Sequence, residues 1–147
     1  MGLLGGLTLE QMSRLSDDEL NELEALLSAK ERDENFAKAK SNMLSFAKYL
    51  RPNNIYSGHV LVYFEVLNLF ANGVIKRLMV TIPPQHFKST GSTELLPAFL
   101  LGLNPDLNIA IASYSATFAK KFNRKIQRII DDKDYHNIFP ETTLANN

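Results

Sequence analysis

Leu20, Leu23, Leu26 and Leu27 recur at the three- and four-residue spacing of one helix face. Two segments before them, Thr8-Leu9-Glu10-Gln11 and Ser16-Asp17-Asp18-Glu19, carry the hydroxyl-x-x-Glu/Gln pattern of a capping box. A second helical stretch runs through Phe36, Met43, Ala47 and Leu50 and stops at Pro52, which cannot continue a helix. Asn53-Asn54 and Ser57-Gly58 make the connector. A third helix is expected from about His59, with Val60, Tyr63, Phe64, Leu67 and Phe70 as its apolar stripe and Gly73 as its stop.

The period then changes. Residues 76–82 are apolar on both faces after Arg77, the pattern of a parallel strand covered on both sides. A helix is expected over about 89–101, with Gly102 as its stop, and residues 108–113 read as a second short strand. Ser115 caps a further helix with Phe118, Phe122, Ile126 and Ile129 on its apolar face. Strand, loop, helix, strand, helix is a right-handed crossover unit. The expected class is α/β, with a helical arm over 1–54 ahead of the unit in 55–147. Beyond Asp131 the chain is polar and aromatic without a clear period.

The loop between the first strand and its helix carries the most chemistry. Ile82-Pro83-Pro84-Gln85-His86-Phe87-Lys88-Ser89-Thr90 has the order of a phosphate-binding loop: apolar run, tight turn, lysine, hydroxyl, helix. A helix N-terminus offers unpaired N–H groups and partial positive charge. Lys88 adds a full charge, and the Ser89 hydroxyl suits Mg²⁺. Thr90 is a second hydroxyl within reach of an inner phosphate. The general pattern has glycine at the positions of Ile82 and Phe87. The alternative is a Pro-Pro turn followed by a capped helix, with Lys88 solvated.

Residues 73–140 resemble the N-terminal ATPase region of the large terminase subunits of tailed bacteriophages and prophages. That family carries a loop close to Pro-Pro-Arg-His-Gly-Lys-Ser, and the same register here reads Pro83-Pro84-Gln85-His86-Phe87-Lys88-Ser89. Pro97-Ala98-Phe99, Leu101-Gly102-Leu103-Asn104-Pro105-Asp106, Ala112-Ser113-Tyr114-Ser115 and Ile138-Phe139-Pro140 follow in the family's order. The resemblance implies part of a P-loop nucleotidase sheet, with ATP and Mg²⁺ as cofactors. It implies that Pro84, Gln85, His86, Phe87, Lys88, Ser89 and Thr90 bind the nucleotide, that Lys88 is catalytic and that Ser89 holds the metal. Gln85 stands where the family often has an arginine, which can stabilise a transferring phosphoryl group. His59 sits where related motors read the adenine ring; a capping or surface histidine is the plainer reading.

The same resemblance implies the partners of a packaging motor: double-stranded DNA, the portal protein, the small terminase subunit and further copies of the chain, at the procapsid in the bacterial host cytoplasm. In that family the acidic strand motif, the glutamate that activates water and the nuclease domain come later in the chain. The piece in hand is therefore expected to be inactive alone. Two other functions remain open, a non-catalytic binding or assembly module and a helicase-like ATPase of the same broad superfamily.

Composition narrows this little. The 147 residues suffice for one modest domain, and 45% hydrophobic with 22% charged content is ordinary for a globular chain. The lack of cysteine excludes disulfides and thiolate metal sites. No apolar run approaches the roughly 20 residues of a membrane span. Net charge is zero but unevenly spread: residues 1–34 hold nine acids and three bases. Lys120, Lys121, Arg124, Lys125 and Arg128 concentrate positive charge on the helix after Ser115, either as a solvated face or as a contact for DNA or a neighbouring subunit. Ile129-Ile130-Asp131-Asp132 imitates an acidic strand motif, but its helical period places both aspartates at a helix end.

Overall fold

The computed structural model describes residues 16–144; the expected capping box at Thr8–Gln11 lies outside them. By its contacts the chain divides into two compact units, Met1–Phe36 and Ala37–Asn147. Helix α1 spans Asp17–Ser41. It starts at a realised capping box: the Ser16 N–H donates to Glu19 Oε2 at 2.8 Å and the Glu19 N–H to Ser16 Oγ at 3.4 Å. Those bonds hold the Glu19 carboxyl below the usual carboxylate range. Leu20, Leu23 and Leu27 are half-buried and Leu26 is exposed.

The second unit is a helical cluster. Helix α2 is Met43–Leu50 and α3 is His59–Ala71. A π-helical turn at Thr90–Leu95 runs directly into α4, Leu96–Leu103. Helix α5 is Ala116–Ile130 and α6 is Lys133–Ile138. The break between α1 and α2 falls at Asn42, whose side chain accepts from the Ser45 N–H at 3.0 Å. Asn68 of α3 accepts from the Met43 N–H at 3.0 Å, and the Tyr56 hydroxyl donates to the Ala47 carbonyl at 2.7 Å. Side chains from its surroundings thus satisfy both ends of this short helix. Helix α3 ends where Gly73 enters the left-handed region (φ 73). Its N–H bonds to Phe70 O and that of Val74 to Leu69 O, both at 3.0 Å, which is the Schellman closure.

Phe46 sits at the centre of the core, with Phe99 at 5.2 Å, Phe139 at 5.9 Å and Tyr135 at 6.1 Å between ring centroids. Met43 and Leu50 of α2, Phe64 and Leu67 of α3 and Ile126 and Ile129 of α5 are buried as well. Tyr135 and Ile138 of a sixth helix and Phe139, which caps its C-terminus, are buried, in the stretch that shows no period in sequence. Six residues are too few to display one. Phe118, expected on the apolar face of α5, is 41% exposed.

The expected α/β class is not what forms. Among the described residues there is no strand and no sheet, and the architecture is all-α. The segments 76–82 and 108–113, read as strands of a partial P-loop nucleotidase sheet, form no ladder with each other or with anything else. A helix closes its hydrogen bonds within itself, whereas a strand needs a neighbour that the apolar pattern alone does not supply.

Candidate anion site

The loop expected to bind phosphate is built by the turn at Pro84-Gln85 and the helix that starts at Lys88. Gln85 (φ 66) and Phe87 (φ 61) both adopt the left-handed region, which side-chain-bearing residues occupy at a cost of roughly 1–2 kcal/mol. Aromatic packing offsets this at Phe87, whose ring lies 5.6 Å from Tyr56 and 6.3 Å from Phe64. Phenylalanine therefore stands in a backbone state that glycine would take without strain. His86 Nδ1 lies 2.7 Å from the Pro84 carbonyl, which can only accept, so Nδ1 carries the proton. The His86 ring also meets that of His59 at 5.0 Å, across the start of α3.

The first helical bond after the loop joins the Gly91 N–H to the Phe87 carbonyl at 2.7 Å. The N–H groups of Lys88, Ser89 and Thr90 consequently have no acceptor among the described residues. Every residue from Pro83 to Thr90 lines one cavity of about 500 Å³, together with Asn54. Pro84, Gln85, His86, Phe87, Lys88, Ser89 and Thr90 are thus brought together around one space, and Lys88 is the one lysine or arginine among the described residues that line it. Among the described residues no carboxylate lines it.

Helix α3 braces the junction from behind. The Tyr63 hydroxyl donates to the Lys88 carbonyl at 2.9 Å, and Ser92 Oγ donates to the same oxygen at 2.7 Å. Burial pushes the Tyr63 phenol above its ordinary value, with Ser92 pulling the other way, so it remains a donor. The close approach of Tyr63 explains Gly91: a Cβ there would stand 2.6 Å from Tyr63 Cε1. The π-turn precedes Pro97, which has no N–H to give and crowds the carbonyl four residues back, and the wider turn accommodates it.

Asn54 and Tyr63 were not legible as site residues. Asn54 has the sequence character of a connector, and Tyr63 matches the core stripe of its helix; each joins the site only through folding. Lys120, Lys121, Arg124, Lys125 and Arg128 of α5 line a separate shallow depression with Thr117. Lys125 is engaged there in a 2.6 Å ion pair with the mostly buried Glu94 of the π-turn. Asp131 and Asp132 lie at the end of α5, where Asp132 caps α6 by accepting from the Asp134 N–H at 3.0 Å. Among the described residues no cluster of three or more His, Asp or Glu side chains is placed to hold a metal ion. No helix among them is long and apolar enough to cross a membrane. No protein-family model, curated protein or solved structure matched the chain.

Proposed function

We propose that the 83–90 loop binds the phosphates of ATP with Mg²⁺, and that the chain is the N-terminal part of a terminase-type motor that packages double-stranded DNA into procapsids. The observation that carries the site is the set of three unpaired N–H groups at Lys88, Ser89 and Thr90, beside the Lys88 ammonium, on one cavity. These donors suit phosphate oxygens. Lys88 pairs with the outer phosphates, and the Ser89 hydroxyl is the group suited to hold Mg²⁺ there. The magnesium ion, when bound, neutralises charge between phosphates.

The motor assignment rests on the ordered sequence resemblance over 73–140. With it come DNA, the portal protein, the small terminase subunit and an oligomeric ring as partners, in the host cytoplasm. The exposed cations of α5 are the surface of this chain suited to a DNA backbone. A second reading is a module that binds nucleotide without hydrolysing it. The carboxylate-free lining of the cavity favours that reading for the chain by itself, since water activation needs an acceptor.

Calorimetric titration with ATP–Mg²⁺ tests the site. Binding is expected in the wild-type chain and lost in Lys88→Ala; equal affinity with and without Lys88 rules the site out. Steady phosphate release that vanishes in Lys88→Ala would overturn the non-hydrolysing reading.

A further inference from the structure

Tyr114 is 88% exposed and Phe118 is 41% exposed. The two rings meet at 5.2 Å between centroids, at the start of α5. Phe118 in turn meets the half-buried Phe122 at 6.4 Å. The four-residue spacing puts all three rings on one side of the helix, in a row that ends in solvent at Tyr114. Lys121 Nζ lies 6.0 Å from the centre of the Phe118 ring, within reach of its face. Through that contact the row adjoins the depression lined by Thr117, Lys120, Lys121, Arg124, Lys125 and Arg128. Lys125 is committed to Glu94, whereas Lys120, Lys121, Arg124 and Arg128 are exposed. Among the described residues no acid lines the depression.

We infer that α5 with Tyr114 binds single-stranded nucleic acid, with a base stacked on the Tyr114 ring and successive phosphates paired with Lys120, Lys121, Arg124 and Arg128. The cations alone suit any polyanion. The exposed aromatic row narrows the choice. A single strand presents phosphates and unstacked bases together, and aromatic rings beside a positively charged groove are the pairing that takes both. A duplex keeps its base faces stacked on one another and offers the rings nothing. An acidic peptide brings charge without bases. Every base has a π face, so the binding is tolerant of sequence. The proposal rests on the reading of α5 as a surface for a nucleic-acid backbone and names the form of strand; it is independent of the 83–90 loop. One phosphate at each of Lys120, Lys121, Arg124 and Arg128 gives a slope of about −3 for log affinity against log salt, at about 0.7 per phosphate on a single strand.

Fluorescence anisotropy with a labelled oligothymidylate of about 15 nucleotides, against a duplex of the same length and over a salt series, tests the surface. The single strand is expected to bind more tightly than the duplex, with the slope above. Tyr114→Ala is expected to weaken single-strand binding roughly fivefold or more and to leave duplex binding unchanged. Tyr114→Phe keeps the ring and should stay close to wild type. Arg124→Glu should weaken binding of both forms. These positions are exposed, so the fold should hold, which circular dichroism checks. Absence of single-strand binding overturns the proposal, as does binding indifferent to salt or to Arg124→Glu. A duplex bound as tightly as the single strand, or single-strand affinity unmoved by Tyr114→Ala, overturns the stacking; if Arg124→Glu still weakens the duplex, the backbone surface of the motor reading stands without it. Tyr114→Phe as weak as Tyr114→Ala assigns the effect to the hydroxyl and overturns the stacking too.

Discussion

Gly91→Ala sets two effects of opposite sign against each other, and the structure decides between them. Alanine is worth about 1 kcal/mol more than glycine in a helix interior. Here, however, the added Cβ meets Tyr63 at 2.6 Å from Cε1, 3.0 Å from Oη and 3.1 Å from Cζ. Restoring a contact of 3.4 Å at Cε1 requires a displacement of roughly 0.8 Å. The ring is buried and its hydroxyl is tied to the Lys88 carbonyl, so it cannot swing clear. Overpacking of this kind costs about 1–3 kcal/mol, and weakening the hydroxyl bond adds about 0.5–1.5 kcal/mol. The net expectation is a destabilisation of roughly 1–3 kcal/mol, read as a lower urea midpoint at unchanged slope. The same displacement disturbs the helix start at Lys88, so ATP–Mg²⁺ affinity should fall in parallel. A double-mutant cycle with Tyr63→Leu isolates the cause, because removing the ring should recover part of the loss. A Gly91→Ala chain as stable as wild type would show that helix propensity wins and that the tyrosine contact is soft.

Two further expectations concern the loop and the core. Phe87→Gly should be more stable than Phe87→Ala by about 1 kcal/mol in denaturant melts, because both lose the ring contacts with Tyr56 and Phe64 but only glycine sheds the left-handed strain; the reverse order would deny that φ limits this position. Burial pushes the Tyr135 phenol, which donates to Ala98 O at 2.9 Å, up to about 12, with Thr142 acting in the opposite direction. A folded-state value above the unfolded one means that this stability is fully present below pH 10 and is lost as pH rises toward 12. At about 1.4 kcal/mol per pH unit the difference is at most about 3 kcal/mol, reduced by solvent screening, and Tyr135→Phe should remove that component from the pH dependence of unfolding.

The elements that close their own hydrogen bonds were legible in the sequence, except for the six-residue α6. The Ser16–Glu19 box, the stop at Gly73, the start after Ser115 and the helix end at Asp131-Asp132 all depend on residues within a few positions of one another. The loop was legible for the same reason: lysine and hydroxyl follow a turn within a single short stretch. The strands were not. The apolar runs at 76–82 and 108–113 specify a segment that suits a sheet, but a ladder needs a second backbone from elsewhere, and none among the described residues provides it. Tertiary structure likewise decided that Asn54 lines the loop cavity, that Tyr63 reaches from α3 to hold Lys88, and that Tyr135 and Phe139 close the core around Phe46. Those contacts join residues from 25 to 93 positions apart in the chain. Local sequence determines which backbone can satisfy itself; only the packed chain determines which side chains meet and which backbone is left to seek a partner.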